Sequence, residues 1–197
     1  MSFFQFAQLP IDRAARRTFL GQSGSVLSAT AIALLAGCDT MARAADRKTA
    51  ADAPGGDVQI LNTALAAEYE GVAAYQVGAE SGLLQKPVLD LAVQFQGHHK
   101  AHADLLAATV RKLGGTPAAP KSRYSFPTDK LKTQADVLRF AAQLEAGAVT
   151  AYLGAVPVLN DRELARAAAS ILGDEAMHLA VLRYAVGENP VPSAFVG

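Results

Sequence analysis

Gly173-Asp174-Glu175-Ala176-Met177-His178 sets a carboxylate and an imidazole three residues apart inside a helical apolar pattern. Positions three apart on a helix share a face. Glu175 and His178 can therefore reach one point in space, and Ile171, Leu179, Leu182 and Val186 surround them at the spacing of a buried stripe. This geometry suits a metal ion. A surface glutamate beside a half-buried histidine would give the same six residues, so the reading depends on the rest of the chain.

Working outward from that motif, Asn160 or Asp161 is placed to cap its helix, which runs through Leu164, Ala168 and Leu172 to Gly187. Thr133, with Asp136 three residues on, caps the preceding helix, whose apolar positions continue to about Val158 unless Pro157 ends or kinks it earlier. Before it, residues 116–132 hold Pro117, Pro120 and Pro127 and read as a loop long enough to be a crossover. Upstream, Pro87 suits the first turn of a helix that continues through Phe95, His99, His102, Leu106 and Val110 to Gly114-Gly115. Asp57 is placed to cap the first helix, which carries Leu61, Leu65, Val72 and Tyr75 to about Ala79, where Ser81-Gly82 stops it. No stretch alternates as a strand does. The expectation is an all-α four-helix bundle over residues 57–188, made of two antiparallel hairpins and a long connection, with a tail over residues 189–197.

The hairpins repeat one another. Glu68 is followed seven residues later by Tyr75, and Glu145 seven residues later by Tyr152. Gly97-His98-His99-Lys100-Ala101-His102 aligns with Gly173 to His178, so a repeat of about 77 residues is implied. Measured from turns near residues 83 and 160, Glu68, Glu145, His99 and Glu175 all fall roughly 22 to 29 Å along their helices at about 1.5 Å per residue. They are expected at one level. Tyr75 and Tyr152 read as core packing, and Tyr69 as a neighbour of the site.

Together these residues resemble the ferritin-like family of four-helix bundles, in which two helices each give one Glu, and two give a Glu-x-x-His pair, to a dinuclear iron or manganese centre. The resemblance covers residues 57 to 187. It implies that Glu68 and Glu145 are the single glutamates, that Glu175 and His178 are one pair, and that His102 is the histidine of the other. His99 stands where the family has the second paired Glu. A carboxylate can bridge two ions, whereas a neutral imidazole offers one lone pair. Three carboxylates also balance two divalent ions less well than four would. The metal set is therefore Glu68, His99, His102, Glu145, Glu175 and His178, holding iron or manganese in a centre that is asymmetric, mononuclear or empty. One tight ion is expected, with a second weak or absent. Whether His98 or His99 faces the core stays open, as does whether His99 is a ligand or a supporting group.

At the other end, Arg16-Arg17-Thr18-Phe19-Leu20 precedes an uncharged apolar run from Ser25 to Ala36, too short to span a membrane by itself. The order resembles a twin-arginine export signal. Leu35-Ala36-Gly37-Cys38 resembles the lipobox at which lipoprotein signals are cut and the cysteine acylated. Residues 1–38 are thus expected to be an export signal and residues 39–56 a flexible tether ending in Pro54-Gly55-Gly56. The implied location is the periplasm or cell envelope, with the chain anchored in the membrane by lipid on Cys38. As the single cysteine, Cys38 also rules out an internal disulfide and a cysteine-only metal site.

Lys+Arg and Asp+Glu number 18 each, which gives no support for a nucleic-acid partner. No phosphate-cradling glycine loop and no acyl-transfer triad order is present. Two functions remain: a metal-binding protein of the iron or manganese redox type with one ligand altered, and a non-catalytic bundle with a degenerate site acting as a structural or partner-binding lipoprotein. A storage cage fits poorly with a lipid-tethered N-terminus.

Overall fold

The computed structural model describes residues 55–196, so the segment expected to be an export signal, Cys38 and most of the expected tether lie outside the described residues. Four helices make the fold: α1 Gly56–Glu80, α2 Lys86–Lys112, α3 Gln134–Ala155 and α4 Arg162–Ala185. Among the described residues there is no strand, and no helix is long and apolar enough to cross a membrane.

Local chemistry sets most of the boundaries. Gly82 adopts φ 71°, a left-handed conformation that costs other residues energy, and turns the chain after α1. Pro87 lies in the first turn of α2, where its missing N–H loses no helical bond, and Arg111 and Lys112 sit at the C-terminal end, where the helix dipole favours cations. A reciprocal capping box opens α3, with the Asp136 N–H donating to Thr133 Oγ1 and the Thr133 N–H to Asp136 Oδ2. Pro157, having no N–H to continue the ladder, confines the next residues to a short 3-10 turn, Val156–Val158, so α3 stops at Ala155. Asp161 then caps α4 by accepting from the N–H groups of Glu163 and Leu164.

Asp57 does not cap α1 as its position suggests. The N-cap is Gly55, and the Asp57 carboxylate accepts from the backbone N–H groups of Asn160 at 2.9 Å and Asp161 at 3.1 Å, tying the start of α1 to the α3–α4 turn. At the far end, the Gln85 N–H donates to Gln134 Oε1 and ties the α1–α2 turn to the start of α3. The two turns therefore lie at opposite ends of the bundle, and the segment between α2 and α3 must run its length. That crossover is held by Asn62, whose side chain donates to Thr116 O and accepts from the Ala118 N–H, and by Phe126 packed edge-on to Phe140. It also contains a 3-10 turn, Thr128–Lys130.

With turns at opposite ends, equal distance from a turn is not enough to bring residues to one level. They meet because each lies at the middle of its helix: Glu68 is thirteenth of 25 residues in α1 and His99 fourteenth of 27 in α2. Apolar clusters close the bundle on both sides of this mid-level. Leu61, Leu65, Leu106, Val110, Leu159 and Ile171 fill the end near the α3–α4 turn, while Tyr75, Phe95, Leu138 and Leu182 fill the other. Each large side chain so buried contributes about 1.5–3 kcal/mol. That excess allows a layer of charged groups to be buried between them.

Candidate metal centre

Glu68, His99, Glu145, Glu175 and His178 are buried, with Glu175 fully shielded from solvent, and His102 is nearly so. All six predicted ligands converge. Their donor atoms form two overlapping groups, Glu68/His99/His102/Glu175 and His99/Glu145/Glu175/His178, in each of which the atoms lie within 4.8 Å of one another. Glu175 and His99 belong to both. Glu175 spans them through its two oxygens, with Oε1 3.0 Å from His102 Nδ1 and Oε2 3.2 Å from His178 Nδ1.

His99 faces the core, and it spans the two groups through its two nitrogens. Nδ1 lies 2.7 Å from Glu68 Oε2 and Nε2 3.3 Å from Glu145 Oε1. The ring has room because residue 71 is glycine: a Cβ there would come within 3.0 Å of His99 Nδ1. His98 lies at the rim with its side chain 38% exposed, and its Nδ1 is 2.9 Å from His178 Nε2 and 3.1 Å from Asp174 Oδ2. Thus His99 lies inside the centre and His98 outside it, at the rim.

Tyr75 and Tyr152 are buried as expected, but packing is not their whole role. Each hydroxyl crosses the bundle to the glutamate of the other hairpin, Tyr75 donating to Glu145 Oε1 and Tyr152 to Glu68 Oε1. Seven residues are two helical turns, so each tyrosine shares its own glutamate's face while reaching the partner's carboxylate. Burial, then the adjoining carboxylate, pushes both phenols well above the usual tyrosine range and keeps them donors. Tyr69 packs against the apolar cluster around Leu65 instead.

The charges hold one another. Burial alone would lower the His99 pKa, but its hydrogen bonds to the Glu145 and Glu68 carboxylates outweigh it and raise it to about 10. Against burial, the nearness of carboxylates likewise raises His102 and His178 to about 9, Glu175 with Glu68 acting on the first and Glu145 with Glu175 on the second. For Glu68 and Glu145 burial raises the pKa, yet the flanking imidazoles bring it below the usual carboxylate range. Glu175 is the exception: burial, with Glu145 beside it, leaves it raised. The imidazoles of His99, His102 and His178 are thus the groups that balance the carboxylates of this layer.

Even so, the layer is not fully paired. His102 Nδ1, Glu145 Oε2 and Glu175 Oε1 are buried and make no hydrogen bond, although His102 Nδ1 and Glu175 Oε1 are only 3.0 Å apart. His102 Nδ1 and Glu175 Oε1, close without hydrogen-bond alignment, have the arrangement of two ligand atoms facing one cation, and Glu145 of the adjoining group leaves a third atom unpaired. Three carboxylates and three imidazoles are also the ligand types of iron, manganese and zinc sites. The residues present fit a metal ion.

Sequence reasoning missed Asp174, Phe95 and Gly71. Asp174 Oδ2 lies 3.3 Å from both His102 Nε2 and His178 Nε2, the sides of these rings that face away from the glutamates. Phe95 stacks on His178 with ring centroids 4.0 Å apart and so fixes that ring. A signal was present for Asp174, which stands before Glu175 as His98 stands before His99.

Comparison with known proteins follows the same geometry. The model of the ferritin-like domain family matches residues 56–188. A search of curated proteins gives no match. Among solved structures, the chain is similar to a conserved hypothetical protein of Mycobacterium tuberculosis, at 22% identity over 73% of this chain and 99% of that one, with a TM-score of 0.63. It is also similar to a ferritin-like, diiron-carboxylate protein of Bacillus anthracis, at 22% identity over 68% and 96% of the two chains, with a TM-score of 0.59. The family match takes in all four helices, the crossover and every buried Glu and His of the centre, and the chain belongs to the ferritin-like domain family.

Proposed function

We propose that this protein is a cell-envelope metalloprotein whose Glu68, His99, His102, Glu145, Glu175 and His178 hold iron or manganese, with one ion bound tightly and a second weakly or not at all. The observation that carries this reading is the set of three buried, unbonded ligand atoms, His102 Nδ1, Glu145 Oε2 and Glu175 Oε1. Leaving each unsatisfied costs about 1–3 kcal/mol, a cost that coordination would offset. A bound iron or manganese ion supplies one-electron redox chemistry that none of these side chains has. The chain's own part is orientation. Tyr75 and Tyr152 hold the Glu145 and Glu68 carboxylates in place, and Asp174 can accept from the Nε2–H of His102 or His178, leaving the Nδ1 lone pair turned inward. His99 puts an imidazole, with one lone pair and no negative charge, where a bridging carboxylate would stand, which argues for one ion over two.

The test is metal analysis of protein loaded with iron or manganese. One ion or fewer per chain is expected in the parent, loss of it in Glu175→Ala, and gain of a second in His99→Glu. Two tightly held ions in the parent would refute the role given to His99, and binding unaffected by Glu175→Ala would refute the site.

One observation favours a second reading. The His99 ring already engages Glu68 and Glu145 through both nitrogens, as a permanent internal cation would, so the bundle could serve as a structural or partner-binding lipoprotein without metal. Metal content of protein matured through its native export route separates the two. Membrane attachment rests on Arg16-Arg17 and on Leu35-Ala36-Gly37-Cys38. Fractionation is expected to find Arg16→Lys/Arg17→Lys unexported and Cys38→Ala released from the membrane.

A further inference from the structure

The inner donors are closed to solvent, with side-chain exposures of 0% for Glu175, 1% for Glu145 and 2% for His178. An ion arriving from outside first needs a partly open group of ligands in contact with them. One such group lies on the α2–α4 side. His98 Nδ1, Asp174 Oδ2 and His178 Nε2 lie within 4.8 Å of one another, at 2.9 to 3.3 Å pair by pair, and the first two side chains are 38% and 23% exposed. His102 Nε2 is 3.3 Å from the same Asp174 oxygen.

We propose that His98, Asp174 and the outward nitrogen of His178 form a separate outer site for a divalent transition-metal ion, which receives the ion and passes it to the buried centre. This rests on the buried centre being a metal site. Two imidazoles and one carboxylate are borderline ligands suited to ions such as zinc, cobalt(II), iron(II) or manganese(II). The two sites meet in one ring. His178 points Nδ1 at Glu175 and Glu145 and Nε2 at His98 and Asp174. A neutral imidazole has one lone pair and one N–H. When Nε2 binds an outer ion, Nδ1 carries the proton and donates to Glu175 or Glu145. When Nδ1 binds an inner ion, the proton is on Nε2, facing Asp174. His178 thus serves one site at a time, so the outer ion is in transit and does not add to the final count. His98 belongs to the outer site alone, which makes it the residue to test.

Cobalt(II) is the probe, followed by its visible absorption in the full-length chain. His98→Ala in the otherwise parental protein is expected to slow filling of the buried site about tenfold or more while leaving the final stoichiometry unchanged. With the inner site disabled by Glu68→Gln/Glu145→Gln, one weakly held cobalt(II) should remain, and adding His98→Ala should weaken it roughly 10- to 100-fold, the range for losing a supporting group at a metal site. Should the inner-site variant fail to fold by circular dichroism, His98→Asp in the parental chain provides the second measurement: another ligand at this position is expected to keep filling near the parental rate, and slowing equal to that of His98→Ala would overturn the outer site. Filling of His98→Ala at the parental rate, or no cobalt(II) bound by a folded inner-site variant, overturns the outer site. Neither result bears on the buried centre, which stands or falls with Glu175→Ala.

Discussion

His99 of α2 and Glu175 of α4 stand at matched places in the two hairpins and face the same buried layer, yet one brings an imidazole ring and the other a carboxylate. The helix opposite is adapted to the difference. Gly71 leaves space against the His99 ring, while Ala148 stands 77 residues later, the interval that separates Glu68 from Glu145 and Tyr75 from Tyr152. The rest of the layer kept its twofold arrangement, with each tyrosine donating to the other hairpin's glutamate. A repeat can therefore lose symmetry at one ligand while its supporting bonds remain symmetric, provided the backbone facing that ligand makes room.

The largest break in this comparison is removal of either flanking carboxylate. Glu68→Ala and Glu145→Ala each take a buried partner from His99, and breaking a buried ion pair costs about 3–5 kcal/mol. Urea denaturation of metal-free protein measures it. Similar losses in the two variants would show that His99 is shared between the hairpins; a loss confined to Glu68→Ala would mean that the 3.3 Å contact to Glu145 contributes little.

Next come the crossed tyrosines. Tyr75→Phe and Tyr152→Phe each remove a hydrogen bond to an ionised carboxylate, expected to cost about 1.5–3 kcal/mol. Equal midpoint shifts in denaturant would support twofold equivalence, whereas unequal shifts would place the asymmetry of the site in its supporting bonds as well as in His99.

The finest probe is a double-mutant cycle on the ring and its space. Gly71→Ala alone places a Cβ about 3.0 Å from His99 Nδ1, and overpacking of this kind costs about 1–3 kcal/mol. In the His99→Glu background the ring is gone, so the same alanine should cost less, with a coupling of about 0.5–3 kcal/mol between the two positions. Additive effects would show that Gly71 is not there for the imidazole.

Much of this protein follows from local sequence. Helical spacing fixes that Glu175 with His178, and His99 with His102, share a face, because 3.6 residues per turn leave no other choice. Thr133 with Asp136, Asp161, Pro87 and Gly82 set element ends through interactions completed within a few residues, and each was legible for that reason. The Glu-to-Tyr spacing displayed the repeat. Tertiary structure decided what depends on how helices are turned toward one another. His98 and His99 are neighbours about 100° apart around α2, and only packing against α1 and α4 set the second inward and left the first at the rim. Asp57 has an ordinary capping position in sequence, but the carboxylate is drawn to two N–H groups more than a hundred residues away. Tyr75 and Tyr152 look like core residues because an apolar face is all that their own helices specify, and the carboxylates they bind come from the opposite hairpin. A helix's period determines which of its residues stand together, and the partners they meet are determined only when four helices close on one core.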